Sequence, residues 1–294
     1  MLRAKDEGRL RLHRRFPSRY LSTPRDIAVY LPPGYDPHGR RYPVFYLQDG
    51  QNLFDPATAF LGQDWQADIT ADALIRLGEI EPVILVGVYN TGVRRVSEYT
   101  PTRDPQIRKG GKADRYAELL ARELKPFIDR EYRTLKAASH TGVGGSSLGG
   151  LVSLMAALCY PKVFGRVAVI SPSVWWDRRA ILHKVEAFGG DIRPRIWLDA
   201  GTAEGSSPES VVTGWRDGHN LRSMEDDVGH NERALGARLT EPALSAVRSP
   251  GMRIRRPSGR ATCSCCSRRG RTWCQCGSGW AFPPMPSPAT WPRT

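Results

Sequence analysis

The chain has 294 residues, of which 40% are hydrophobic, and a formal net charge of +13. This length excludes a protein too small to form its own core, and it favours one domain of about 250 residues with loose ends over two small domains. Residues 1–25 carry +6 and residues 248–294 carry +9, so the remaining −2 belongs to the middle of the chain and excludes a strongly basic central domain.

The N-terminal part of the chain predicts two strands after a basic start. Its arginines are followed by no apolar run of the kind found in a signal peptide, and no apolar run elsewhere is long enough to cross a bilayer, so we expect a cytoplasmic protein without a membrane segment. Polar residues alternate with apolar or aromatic residues in 8–16 and 25–31, which predicts two strands at the edge of a sheet.

The middle of the chain alternates apolar runs with helical patterns. Residues 64–77 and 112–129 have apolar residues at helical spacing, although Pro126 leaves the end of the second helix open. Strands and helices in alternation predict the α/β class, with a mostly parallel, doubly wound sheet in a single domain. Strands covered by helices are predicted at 43–47, 82–88, 167–170 and 195–199.

A serine in a glycine-rich turn lies between the second helix and the last strands. The segment Gly145-Ser146-Ser147-Leu148-Gly149 has the pattern G-x-S-x-G, with a short strand pattern before it and a helical pattern after it. A serine that leaves a strand on such a turn raises its hydroxyl above the sheet, while the glycines let the helix pass close to the strand. We predict Ser147 as a nucleophile, and a turn without catalytic function is the alternative.

A serine hydroxyl is a poor nucleophile near neutral pH and needs a base within hydrogen-bond reach. Three histidines follow Ser147 in the chain, namely His183, His219 and His230. His230 lies in a loop between a strand pattern and a helical pattern, from which it can reach the carboxyl edge of the sheet. His230 is therefore the predicted base, and a surface or capping histidine is the alternative.

The base needs a carboxylate that orients it, and attack by the serine needs an oxyanion hole that stabilises the charge on the substrate oxygen. Glu204 projects from the loop after the last predicted strand and is the first candidate acid, with Asp199 second, because an aspartate at a strand end often binds backbone amides instead. The predicted oxyanion hole combines the backbone N–H groups of Leu148 and Gln51. A plain turn at Gln51 is the alternative.

Several motifs occur together in the order of a known family. The chain resembles the esterase family of α/β-hydrolases, which includes enterochelin-type siderophore esterases, feruloyl esterases and, more distantly, the antigen 85 mycolyltransferases. The similarity covers roughly residues 20–244. The motifs are Phe45-Tyr-Leu-Gln-Asp-Gly-Gln51, Glu98-Tyr-Thr-Pro101, Gly145-Ser-Ser-Leu-Gly-Gly150, Ser171-Pro-Ser-Val-Trp-Trp176, Leu198-Asp-Ala-Gly-Thr-Ala-Glu204 and His230-Asn-Glu232.

The resemblance implies an α/β-hydrolase fold and the hydrolysis of a small-molecule carboxylic ester through an acyl-enzyme. It implies Ser147, Glu204 and His230 as nucleophile, acid and base, and no metal or organic cofactor. The aromatic residues Trp175 and Trp176 are expected to line the substrate pocket. An acyltransferase of the same fold and an inactive scaffold of the same fold are the alternatives.

Two segments depart from the family pattern. Only residues 205–213 lie where the family has a helix between the acid loop and the next strand, and residues from 245 onward lose apolar periodicity. We therefore divide the chain into a basic N-terminal segment (1–24), a catalytic domain (25–244) and a tail (245–294) predicted to be disordered. The five cysteines of the tail lack the paired spacing of a zinc ribbon, and its arginines accompany no nucleic-acid recognition motif, so we expect neither a metal site nor a specific nucleic-acid partner.

Overall fold

Seven strands form one sheet in the computed structural model, which describes residues 9–189 and 192–199. The order across the sheet is β1-β2-β4-β3-β5-β6-β7. Strands β3 to β7 run parallel to their neighbours among themselves, whereas β1 pairs with β2, and β2 with β4, in antiparallel fashion. The strands are β1 (Leu10–Phe16), β2 (Arg25–Tyr30), β3 (Val44–Gln48), β4 (Ile84–Val88), β5 (Thr141–Ser146), β6 (Arg166–Ile170) and β7 (Arg195–Asp199).

Helices connect the parallel strands, as the alternating sequence pattern predicts. All strands expected from the sequence up to residue 199 and both long helices before Ser147 are present, and the α/β class with a mostly parallel sheet is confirmed. The strand and helix patterns on either side of His230 lie outside the described residues. Among the described residues, no helix is both long and apolar enough to cross a bilayer. The helices are α1 (Ala67–Arg76), α2 (Arg95–Tyr99), α3 (Ala113–Glu118), α4 (Lys125–Glu131), α5 (Leu148–Cys159) and α6 (Trp176–Glu186), and a π-helical turn (Leu119–Leu124) joins α3 to α4.

Both faces of the sheet are covered, which explains the continuous apolar runs of the central strands. Along β2, Ile27 and Val29 belong to one hydrophobic cluster, while Ala28 and Tyr30 belong to a second cluster on the opposite face. Helix α5 packs on the larger cluster and buries ten of its twelve residues. Helix α5 is thus almost wholly enclosed, and it holds the turn that precedes it against the sheet.

The prediction that both opening strands lie at the edge of the sheet is correct for β1 and wrong for β2. Strand β2 lies between β1 and β4, and five of its six residues are buried. Its first residue, Arg25, is 2% exposed because its guanidinium pairs with Glu98 at 3.2 Å. The polar residue that made β2 look like an edge strand is therefore a buried ion-pair partner.

The helical stretch through Pro126 continues to Glu131, two residues beyond its predicted end. Proline lacks an N–H and its ring clashes with the carbonyl four residues earlier in an α-helix. Here the wider π-helical turn ends at Leu124, directly before α4, so Pro126 lies in the first turn of a new α-helical segment. The change from π-helical to α-helical hydrogen bonding before Pro126 thus lets the helix continue beyond the proline.

The carboxylate of Asp72 joins α1 to the antiparallel strands. Arg9, just before β1, donates two hydrogen bonds to it at 2.7 and 2.6 Å, and the Tyr30 hydroxyl of β2 donates a third. Although burial raises the pKa of Asp72, the hydrogen bonds from Arg9 and Tyr30 and the nearby positive charges lower it overall, below its ordinary value of 3.8. The ionised carboxylate therefore stabilises the fold.

We expect Asp72→Asn to lower the free energy of unfolding at pH 7 by about 1–2 kcal/mol, because the charge-assisted hydrogen bonds are weakened. The folded pKa of Asp72 is depressed, so its contribution is complete above the unfolded pKa and is lost as the pH falls through the folded pKa. Denaturant unfolding of parent and variant from pH 7 to pH 3 measures this, and the difference should begin to narrow below about pH 4 and continue to close as the pH falls toward the folded pKa.

Glu79→Gln is the matched control, because it neutralises an exposed carboxylate just beyond the same helix. Its stability should follow that of the parent at every pH. A gap between parent and Asp72→Asn that widens toward acid would contradict the assignment.

Candidate active site

Ser147 occupies a strained turn between β5 and α5. Its backbone has φ 58° and ψ −124°, a region that residues with a side chain rarely adopt, and its side chain is exposed. Strand, turn and helix follow one another as the G-x-S-x-G pattern predicts. The hydroxyl therefore stands at the carboxyl edge of the parallel strands, where ligands of α/β proteins bind.

Glycines on both sides of Ser147 permit this turn. A Cβ atom at Gly145 would lie 2.9 Å from the carbonyl carbon of Gly149 and 3.0 Å from the Cβ of Gln48. A Cβ at Gly149 would lie 3.1 Å from the same Gln48 atom. Strand β5 and the first turn of α5 thus approach each other, and the end of β3, so closely that a side chain at Gly145 or Gly149 would force its neighbours to shift.

The turn after β6 contacts Ser147 at three points. The Ser147 N–H donates to the carbonyl of Ile170 at 3.0 Å, and the Ser147 carbonyl accepts from the N–H of Ser173 at 3.2 Å. The two hydroxyls, Ser147 Oγ and Ser173 Oγ, are 3.0 Å apart. Sequence reasoning missed Ser173, although it lies in the quoted motif Ser171-Pro-Ser-Val-Trp-Trp176.

Asp49, directly after β3, is fixed from two directions. Arg95 of α2 donates from Nε and Nη2 to its two carboxylate oxygens, each at 2.7 Å, and Asn90 Nδ2 donates to Oδ1 at 2.7 Å. Burial lowers the pKa of Arg95, but its hydrogen bonds and charge attraction to Asp49 raise that pKa overall. This pair holds Asp49 in a left-handed conformation, φ 55°, that few aspartates adopt.

A buried set of aromatic and polar side chains supports this pair from below. The N–H of Asp49 donates to the Tyr99 hydroxyl at 3.4 Å, and the Tyr116 hydroxyl donates to Gln48 Oε1. Burial and the charge of Asp49 raise the pKa of Tyr99 well above its ordinary value, so this phenol stays neutral. The residues at the end of β3 are therefore hydrogen-bonded to neutral phenols. Asp49 remains the anion that pairs with Arg95.

Gln51 lies two residues after Asp49, in a short 3-10 turn (Gly50–Asn52). Its side-chain Oε1 accepts from the Asn90 N–H at 3.2 Å, and its carbonyl accepts from the Thr58 hydroxyl at 2.7 Å. A Cβ at Gly50 would lie 2.4 Å from the carbonyl carbon of Gly87 in β4, so this turn is packed against the sheet. Gln51 thus sits at the same sheet edge as Ser147, as its predicted position requires.

Of the remaining predicted site residues, the structure describes the two tryptophans and Asp199, but not the predicted acid and base. Trp176 is 1% exposed and its Nε1 donates to the carbonyl of Thr102 at 3.0 Å, so it packs in the core, whereas Trp175 is partly exposed. Asp199 ends β7 with an exposed side chain, and its carbonyl accepts from the Ser171 N–H at 2.7 Å. His219 and two predicted catalytic residues, Glu204 and His230, lie outside the described residues, as does the tail.

His183, a histidine not chosen as the base, lies on α6. Its side chain is 81% exposed and its Nδ1 lies 3.4 Å from Glu186 of the same helix. Nothing in these contacts connects it to the turn that carries Ser147. In residues 9–189 and 192–199, no three His, Cys, Asp or Glu side chains converge as metal ligands do.

Comparisons with known proteins identify the relatives of this chain. A family described as "Putative esterase" matches residues 18–217. The uncharacterised protein YbbA of Bacillus subtilis is 28% identical over 195 residues, which cover 64% of this chain and 72% of that protein. The siderophore enterobactin esterase of Emericella nidulans is 28% identical over 166 residues, so that the match spans 52% of this chain and 53% of that relative.

A solved structure with the same architecture is the IroE-like serine hydrolase from Shewanella oneidensis. It has a TM-score of 0.59 and 27% identity, and the match covers 79% of this chain and 69% of that one. This similarity confirms the α/β-hydrolase type of fold expected from the sequence.

We expect Arg95→Ala to cost about 3 kcal/mol of folding free energy, because it leaves the largely buried Asp49 carboxylate without its cationic partner. Denaturant unfolding of the variant measures the loss. Arg94→Ala is the matched control: the neighbouring guanidinium is exposed and donates to Ser22 Oγ at 2.9 Å, so its removal should cost less than about 0.5 kcal/mol. Equal effects of the two variants would mean that Asp49 is not held by Arg95 in solution.

Proposed function

Because the chain belongs to the "Putative esterase" family, a family of carboxylic ester hydrolases, we propose that it hydrolyses a small-molecule ester with Ser147 as its nucleophile. The observation that carries this proposal is the exposed Ser147 hydroxyl on a strained turn, φ 58°, between β5 and α5. A strained backbone persists only where its surroundings fix it, and such positions concentrate at active sites. Here three hydrogen bonds of Ser147, one with Ile170 and two with Ser173, and the close approach of Gly145 and Gly149 to Gln48 fix it.

In the first half-reaction, Ser147 Oγ attacks the ester carbonyl carbon and its proton passes to His230. The negative charge that develops on the carbonyl oxygen is stabilised by the backbone N–H groups of Leu148 and Gln51. The Leu148 N–H is suited to this role because it lies in the first turn of α5, where no helical carbonyl is available to accept it. The carbon–oxygen bond then breaks, and the leaving alcohol receives the proton from His230.

In the second half-reaction, water attacks the acyl-enzyme with His230 as its base, and the acid is released as Ser147 regains its proton.

The packed 3-10 turn supports the role of Gln51 as an oxyanion donor, because Gly50 and Asn90 fix this turn before substrate binds. The pocket for the substrate is proposed to include Trp175, whose ring is partly exposed beside the turn after β6.

The orienting acid is proposed to be Glu204, with Asp199 as the alternative. Asp199 lies at the end of β7, next to the strand whose turn contacts Ser147, and its side chain is exposed. The proposal of Glu204 and His230 depends on the sequence motifs alone.

Two relatives support a proposal for the class of ester. The Emericella nidulans relative is a siderophore enterobactin esterase, and another relative is the siderophore triacetylfusarinine C esterase of Aspergillus fumigatus. We propose siderophore esters as the first substrates to test. The sequence-based expectations of a cytoplasmic location and of no specific nucleic-acid partner remain predictions.

We expect a fluorophosphonate to add once to the parent protein and not to Ser147→Ala, because only an activated serine displaces fluoride from phosphorus. Intact mass after incubation measures the adduct, and peptide mass spectrometry locates it. Ser146→Ala is the matched control, since it removes the adjacent hydroxyl of the same turn and should label like the parent. An unlabelled parent, or an adduct on another residue, would contradict the proposed function.

The acid is distinguished by two conservative variants. We expect Glu204→Gln to lower kcat/KM for a p-nitrophenyl ester by about 10³–10⁴-fold, since loss of the orienting carboxylate leaves the histidine unaligned. Asp199→Asn should leave kcat/KM nearly unchanged. The reverse result would assign the role of acid to Asp199.

A further inference from the structure

The hydroxyl of Ser173 lies beside the predicted nucleophile in a nearly enclosed position. Its Oγ is 3.0 Å from Ser147 Oγ, and the residue is 4% exposed. Within the described residues, Ser147 is the hydrogen-bond partner found for this hydroxyl. A buried hydroxyl is costly when it makes no hydrogen bond, so the contact with Ser147 is the one that the position of Ser173 is built to make.

The turn around Ser173 fixes the direction of its side chain. The Ser173 N–H donates to the carbonyl of Ser147 at 3.2 Å, and the Ser173 carbonyl accepts from the N–H of Trp176 at 3.3 Å. Trp176 is itself anchored, because its ring is 1% exposed and its Nε1 donates to Thr102. Ser173 is therefore held against Ser147 by its main chain as well as by its hydroxyl, and it stays in place when the nucleophile reacts.

The chemistry of two facing hydroxyls decides which one donates. Each carries one proton and two acceptor lone pairs. Ser147 must give its proton to a base in order to attack, so its O–H bond cannot also be directed at Ser173. In the reactive arrangement Ser173 is thus the donor and Ser147 Oγ the acceptor, and this bond strengthens as negative charge builds on Ser147 Oγ.

We propose that Ser173 is a positioning residue for acylation, whose hydroxyl donates to Ser147 Oγ. This inference rests on the proposed function of Ser147 and adds to it. The Ser147 proton leaves toward the base and the bond from Oγ to the substrate carbonyl carbon forms, while Ser173 keeps its own proton throughout. The hydrogen bond both directs the Ser147 proton away from Ser173 and stabilises the charge on the attacking oxygen.

The test is the second-order rate constant of fluorophosphonate addition to Ser147, followed by intact mass. Ser173→Ala should react about ten- to a hundredfold more slowly than the parent, as expected for loss of one hydrogen bond to a charged group. Ser153→Ala is the matched control, because Ser153 of α5 is also fully buried but its hydroxyl has no partner. This control should react at the parental rate.

The pH dependence separates positioning of the nucleophile from a purely structural effect or an effect on the base. We expect the rate of Ser173→Ala to be lower by the same factor at every pH, with an unchanged midpoint of the pH profile. A shifted midpoint would overturn the proposal, because Ser173 would then act on the base. Parental rates in Ser173→Ala would overturn it as well.

The isosteric pair Ser173→Thr and Ser173→Val keeps the test valid if alanine loosens the turn. Both add similar volume, and only threonine keeps a hydroxyl, so the threonine variant should react about tenfold faster than the valine variant. Equal rates would overturn the role of the hydroxyl. If the parent itself is not labelled at Ser147, the proposed function fails and this role with it, whereas a labelled parent with unaffected variants removes the role of Ser173 alone.

Discussion

The carboxylate of Asp49 connects the three elements that form the candidate site. It accepts hydrogen bonds from Arg95 of α2 and from Asn90 after β4, each at 2.7 Å, and a Cβ at Gly149 would lie 3.2 Å from its Oδ2. The turn that carries Gln51 starts at this residue, and the first turn of α5 rests against it. Asp49 thus lies between the two turns that carry the predicted donors of the oxyanion hole, Gln51 and Leu148.

The parts of the fold that the sequence predicts are those with a local physical cause. The apolar runs of β3 and β4, the helical spacing of α1 and the glycines around Ser147 each depend on residues within about one element of each other. The position of β2 within the sheet has no such local signal. It results from pairing with β1 on one side and with β4, more than 50 residues later, on the other. The partner that allows Arg25 to be buried, Glu98, is 73 residues away, so the sequence gives no local sign that this arginine is enclosed.

The same distinction applies to the site. Ser147 is evident from five consecutive residues, whereas Ser173 reaches it across 26 residues and Arg95 reaches Asp49 across 46. Gln51 lies near the sheet edge because it comes three residues after the end of a largely buried strand, and its role as an oxyanion donor stays a prediction. The sequence predicts the same role for Trp175 and Trp176, because nothing in the sequence of a turn indicates which of two adjacent rings is buried in the core.

The backbone conformation of Ser147 lowers local stability, and a glycine at this position would remove that strain. At φ 58° and ψ −124° glycine is the residue that fits without strain, and glycines already stand at four nearby positions of the segment 144–150. The serine therefore carries a cost of roughly 1–3 kcal/mol that a glycine would relieve. Selection for stability alone would favour glycine at this position, so the strained serine is the residue expected here if its hydroxyl has the proposed role of nucleophile.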